Sequence, residues 1–147
     1  MFMVLFGSTA ELIFDINFII QIVLIILLII GYSQKRTWRY HGIIMAIATI
    51  TMIVTVLLIM APSLLAQLPA ILLFPTSPSS LITIVHVIFG LMAIAAGLTY
   101  TLRFLYYSTT NKPLTCGTRT QMRIQFTIWI LAFVLGLSFY VYVYFLP

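Results

Sequence analysis

Long apolar stretches alternate with short polar connections along the chain. Four of these stretches have the roughly 20 mostly apolar residues that a helix needs to cross a bilayer. They predict transmembrane helices at about residues 12–32, 41–61, 81–106 and 124–146. The second is expected to stop at Pro62, because proline cannot continue a helix comfortably. The pattern therefore predicts a single all-α integral membrane domain over residues 1–147, an antiparallel four-helix transmembrane bundle.

Composition excludes several other classes of protein. Hydrophobic residues make up 63% of the 147 and charged residues only 6%, whereas a soluble domain carries about 25% charged residues. So little polar surface excludes a soluble globular enzyme, a disordered tail and a disulfide scaffold. Seven Lys and Arg against two Asp and Glu give a net charge of +5. The positive residues are sparse, so they do not indicate a nucleic-acid partner.

The positive residues fall on one side of the predicted bundle. Six lie in the first and third connections, SQKRTWRY and STTNKPLTCGTRTQMR, and Arg103 lies where the third helix enters the latter. By the positive-inside rule this side is cytoplasmic and both termini face outward. Tyr140, Tyr142 and Tyr144 then fit an outer aromatic belt. We expect a multi-pass membrane protein whose basic loops are cytoplasmic.

The second connection carries no charge. Its apolar piece LLAQLPAILLF, at residues 64–74, is short and interrupted by Pro69. An interfacial or re-entrant segment is expected rather than a fifth span, and an uncharged surface loop is the alternative.

Polar residues at membrane depth are the first candidates for chemistry. Glu11 and Asp15, four residues apart, share a face at the outer end of the first helix, and His86 lies at a similar depth in the third. Two carboxylates and an imidazole suit a divalent metal or a proton relay. The alternative is that the acids cap the helix start, where negative charge is favourable, and that His86 makes one interhelical hydrogen bond.

A second set of candidates combines histidine with methionine, as haem and copper sites do. His41, Met45 and Met52 form one stripe on the second helix; alternatively His41 is interfacial and the methionines fill packing gaps. His41 and His86 cannot ligate one haem, because helix rise separates them by roughly 20–30 Å along the membrane normal. Met60 is level with His86 and could pair with it. Haem or copper stays open, and a chain without a cofactor is the simpler expectation.

Small residues predict where helices approach each other. Gly90, Ala93 and Gly97 follow His86 at helical spacing in the third helix, and Gly136 lies in the fourth. Faces of this kind let neighbouring helices pack closely. We therefore expect His86 to point into the bundle rather than at lipid.

Three stretches, RYHGIIMAIA, IVHVIFGLMAI and IWILAFVLGLSFYVYVYF, resemble the small bacterial and archaeal membrane family catalogued as domain of unknown function four-twenty. In that family a His followed by a Met opens one span, a His lies early in the next, and a Trp, Gly and Tyr series fills the last. The matching positions are His41, Met45, His86, Trp129, Gly136 and Tyr140. The family often has further histidines late in the second helix and early in the fourth, where this chain has TVLLIMAPSL and RTQMRIQFTIW.

The family is linked to biogenesis of haem-copper cytochrome oxidases. The resemblance therefore implies a non-catalytic accessory or assembly subunit of a respiratory metalloenzyme complex, whose partners are larger membrane subunits and the lipid bilayer. The missing histidines favour this accessory role over a cofactor carrier. Two alternatives stay open: a haem- or metal-binding electron-transfer protein that uses His86, and a structural subunit of another membrane enzyme complex such as a copper monooxygenase. No catalytic residue is predicted, because the sequence contains no GxSxG, CxxC or HExxH motif.

Overall fold

A computed structural model describes residues 12–34, 38–110 and 118–144 of the chain. Over these ranges the protein is all-helical, with four helices long and apolar enough to cross a membrane. The helices are α1 (Leu12–Ser33), α2 (Trp38–Thr55), α3 (Ala61–Leu73), α4 (Pro78–Thr109) and α5 (Arg119–Tyr144), and a π-helical segment, Val56–Met60, joins α2 to α3. The predicted all-α fold with four apolar spans is confirmed.

The second span does not stop at Pro62. One helical run of 35 residues extends from Arg39 to Leu73, with Pro62 in the first turn of α3. Proline lacks an N–H, and its ring clashes with the carbonyl four residues earlier. The preceding turn is widened, because the Ala61 N–H bonds to the Val56 carbonyl, and a π-type turn of this kind accommodates an interruption of the α ladder. The prediction that the helix ends near residue 61 is wrong, and so is the alternative of a surface loop over residues 64–74, because the helix continues to Leu73.

Side chains in the connections define where α4 and α5 begin. Ser77 caps α4 by accepting a hydrogen bond from the Ser80 N–H, and Pro78 occupies the first turn. Thr118 and Gln121 form a reciprocal capping box before α5: the Thr118 N–H donates to Gln121 Oε1 at 2.9 Å, and the Gln121 N–H donates to Thr118 Oγ1 at 3.3 Å. Local sequence therefore fixes both helix starts.

Contacts between helices join the start of one to the end of another. These contacts are His41 with Gly31, Gly42 with Phe104, Tyr32 with Phe126, and Tyr140 with Asp15. Arg39, Arg103 and Arg123 all belong to the end of the bundle that contains the first three contacts, which we call the basic end. The Asp15 and Tyr140 contact lies at the opposite end, which we call the far end.

A hydrophobic core cluster lies between these two ends. Its buried members are Leu24, Leu28, Ala48, Met52, Ala93 and Trp129. Ala48 and Ala93 are fully buried, since their small side chains let α2, α4 and α5 approach closely. The core therefore separates a small pocket at the basic end from a larger cavity in the far half.

Candidate functional site

The larger space is a cavity of about 320 Å³, which we call the far cavity. It lies among α1, the π segment, α3, α4 and α5, and seven aromatic side chains from α1 and α5 line it. Its polar lining consists mainly of Asn17, Gln21, Ser63, Gln67, Thr83 and His86. Small-molecule sites span about 300–1,000 Å³ and combine apolar walls with a few polar groups. The far cavity has both properties.

His86 is held in one orientation at the wall of the far cavity. Its Nδ1 lies 2.9 Å from the Ala132 carbonyl oxygen, and because a carbonyl only accepts, Nδ1 carries the proton and donates it. The other ring nitrogen, Nε2, is then the acceptor, and no other described residue bonds to the ring. A Cβ on Gly136 would lie 2.9 Å from His86 Cε1, so glycine at that position leaves room for the imidazole.

The four residues singled out as a candidate haem or copper set divide between two spaces. His86 and Met60, which lies in the π segment, line the far cavity. His41 and Met45 line the pocket at the basic end, which has a volume of about 30 Å³. That volume holds about one water molecule. His41 and His86 therefore do not face a common space, as their sequence separation predicts.

His41 contacts the protein backbone. Its ring is buried, and Nδ1 donates to the Gly31 carbonyl oxygen at 2.6 Å. The last carbonyls of a helix have no partner within the helix, so His41 satisfies one of those at the end of α1. This contact is a structural role that the sequence did not indicate.

The structure describes only two of the three candidate metal ligands, Asp15 and His86. Asp15 is fully buried and accepts a hydrogen bond from the Tyr140 hydroxyl, while Glu11 lies outside the described residues. In the part of the chain that the structure describes, no three His, Cys, Asp or Glu side chains form a group that could hold a metal ion. Tyr140 is also stacked on Phe18, with ring centroids 4.8 Å apart. It is buried inside the bundle rather than in the aromatic belt expected for it, because its hydroxyl finds a buried carboxyl partner.

The predicted packing residues differ in what they contact. Ala93 is fully buried, and a Cβ on Gly97 would lie 3.1 Å from Thr49 Oγ1 of α2. A Cβ on Gly90, in contrast, would meet nothing within 4 Å. Gly90 therefore lines the far cavity and does not pack closely against another helix as the spacing suggested.

One polar junction was missed by the sequence patterns. The Ala93 carbonyl oxygen accepts hydrogen bonds from Gln125 Nε2 at 2.7 Å and from Trp129 Nε1 at 3.2 Å. Trp129 lines both the far cavity and the pocket at the basic end, so it lies between the two spaces. Gln125 and Trp129 are four residues apart and share a helix face. An amide and an indole N–H on one face of an apolar span could have indicated this pair of hydrogen bonds.

No protein-family model matches the chain, and no curated protein or solved structure matches it either. The fold and the cavity define a class: the part of the chain that the structure describes is all-helical, with four helices able to cross a membrane and a cavity of ligand size between them. The resemblance to the family of unknown function stays a prediction that depends on the three stretches quoted above.

Proposed function

We propose that the protein is a non-catalytic accessory or assembly subunit of a larger membrane metalloenzyme complex. The resemblance points to a respiratory haem-copper oxidase as that complex. The observation that carries the proposal is α3, a helix of 13 residues without a charge that buries none of its residues in the bundle. Leu65, Leu72 and Leu73 on this helix are 68%, 72% and 74% exposed.

The helical run that ends in this exposed face is longer than a membrane crossing requires. Its 35 residues correspond to about 52 Å at 1.5 Å per residue, whereas the hydrocarbon core of a bilayer is about 30 Å thick. Much of α3 is therefore not required for crossing the membrane. Exposed apolar surface beyond what lipid covers is typical of a protein interface, and a larger membrane subunit would cover it here.

The proposal includes an orientation. The end-to-start contacts between helices support an antiparallel bundle, with both termini on the outer side of a prokaryotic plasma membrane. Arg39, Arg103 and Arg123 belong to one end of the bundle, which supports a cytoplasmic location for that end under the positive-inside rule. The far cavity would then open toward the outer leaflet.

Purification from native membranes tests the accessory role. The tagged protein is extracted in mild detergent and analysed by native mass spectrometry with elemental analysis. We expect it to be recovered with a larger, metal-containing complex, whose subunit masses and metal distinguish an oxidase from a copper monooxygenase. Recovery solely as a free monomer contradicts the proposal.

A matched pair of variants tests whether α3 makes the contact. Leu72→Ser places a hydroxyl on the exposed face of α3, and Leu102→Ser does the same on the exposed face of α4, where Leu102 is 57% exposed. We expect the α3 variant to lose most of the complex and the α4 variant to retain it. Equal recovery of both variants contradicts a role for α3.

A second function is supported by the shared location of His86 and Met60 on the far cavity. These residues would hold a haem, which would supply one-electron transfer, and His86 would bind it through Nε2 because Nδ1 is bonded to the Ala132 carbonyl. The described lining contains no Lys or Arg, however, so the two carboxylates of a haem would find no cation there. A Soret band that disappears in His86→Ala and persists in His41→Ala would support this function, and purified protein without haem or metal would exclude it.

A further inference from the structure

The far cavity contains two hydrogen-bond acceptors without a donor. Asn17 Oδ1 is buried and has no partner among the described residues. His86 Nε2 is an acceptor because Nδ1 already donates to the Ala132 carbonyl. Both side chains line the same cavity. A buried polar atom without a partner, such as Asn17 Oδ1, destabilises the folded protein. His86 Nε2 belongs to a half-buried ring on the same cavity, so a ligand that donates hydrogen bonds could pair with both acceptors.

The walls of the far cavity specify the rest of the ligand. Rings from α1 and α5 line it, among them Phe18, Trp129 and Phe133, and aromatic pairs gain attraction in offset-stacked or edge-to-face contacts. The described lining carries no Asp, Glu, Lys or Arg, so a charged ligand would lose its hydration without gaining a partner. The lining therefore fits an uncharged aromatic molecule.

We propose that the far cavity binds an uncharged, lipid-soluble aromatic hydroxyl compound, a phenol or a hydroquinone, whose O–H groups donate to Asn17 Oδ1 and His86 Nε2. The recognition is directional. The corresponding quinone presents carbonyl acceptors and would leave both protein acceptors unpaired. This activity is separate from the accessory role, since it depends on the far cavity and not on the exposed face of α3. It competes with haem for the same space.

Calorimetric titration of the wild-type protein in lipid nanodiscs tests the donor argument without any variant. The probes are tetramethylhydroquinone under anaerobic reducing conditions, its dimethyl ether, which keeps the ring but has no O–H, and tetramethylquinone. We expect the hydroquinone to bind about tenfold or more tighter than the ether and the quinone, the effect of leaving a buried acceptor unpaired. No binding of the hydroquinone, or equal binding of all three probes, overturns the proposal.

Variants assign the two acceptors. Asn17→Leu and His86→Phe should each weaken hydroquinone binding about fivefold or more and leave ether binding unchanged, because the ether uses neither acceptor. Thr99→Ala, an exposed position whose hydroxyl bonds within its own helix, is the control and should bind both probes as the wild type does. His86→Gln keeps an acceptor at residue 86 and should retain part of the affinity that His86→Phe loses. This comparison separates loss of the acceptor from poor folding.

Haem provides the competing outcome. Added haemin that gives a Soret band dependent on His86 and that the hydroquinone cannot displace would overturn the proposal. Failure of hydroquinone binding would leave co-purification with a larger complex unaffected, so the two proposals fail independently.

Discussion

The close contact between α2 and α4 at Gly42 predicts how much a substitution there changes the stability of the protein. A Cβ on Gly42 would overlap the Cδ2, Cε2 and Cζ atoms of Phe104. Phe104 is only 7% exposed, so the surrounding helices restrict movement of the ring. Gly42→Ala should therefore overpack the interface, at a cost of about 1–3 kcal/mol. Helix propensity offsets about 1 kcal/mol of this cost, leaving a net destabilisation of about 0–2 kcal/mol.

Gly90→Ala is the matched control, because it makes the same chemical change where a Cβ meets nothing within 4 Å. This variant should gain up to about 1 kcal/mol from helix propensity, so the two variants should differ by about 1–3 kcal/mol. The free energy of unfolding is measured by SDS titration in mixed micelles, followed by circular dichroism. Equal stabilities of Gly42→Ala and Gly90→Ala would refute the packing argument.

A double substitution identifies the contact responsible. Phe104→Leu removes the ring atoms that the new methyl group would meet, so Gly42→Ala should be less destabilising in the Phe104→Leu background than in the wild type. A double-mutant cycle measures this coupling, which for residues in contact is about 0.5–3 kcal/mol. Additive effects would show that the loss arises elsewhere.

Two further predictions concern the far end and the topology. Tyr140→Phe removes the donor to the buried Asp15 carboxyl and should lower the free energy of unfolding by about 1–3 kcal/mol. The control Tyr142→Phe, at an exposed position, should change the free energy of unfolding by less than about 0.5 kcal/mol. Equal losses in the two variants would contradict the role of the hydrogen bond. A cysteine introduced at Thr76 should react with an impermeant thiol reagent from the outside of intact cells, and Cys116 should react only after permeabilisation, so labelling of both from one side would contradict the proposed orientation.

The sequence predicted the spans well because the bilayer imposes a length and an apolar composition that can be read locally. The bounds of α1, α4 and α5 lie within a few residues of those expected from apolarity alone. Pro62 was the exception. The rule that proline ends a helix considers the missing N–H, but not the π-type bond from Ala61 to Val56 that lets the chain continue. Such a bond depends on the whole turn and has no simple sequence pattern.

The candidate site was predictable where depth and spacing determined it. His86 was expected to face the bundle and Met60 to lie level with it, and both line the far cavity. The rotation of each helix was harder to predict, because a span that is apolar on every side gives little indication of which face is buried. Tyr140 was therefore expected at the membrane surface, although it bonds to Asp15 inside the bundle.

The core cluster that includes Trp129 affects how a small molecule could reach the far cavity. With Leu28, Ala48 and Ala93, Trp129 packs between the two spaces, so under the proposed orientation a guest held near His86 would exchange with the monolayer at the far end. Compounds that flip slowly between monolayers would then be sampled on a single side of the membrane. The same packing would insulate an energised membrane against proton leakage through the bundle.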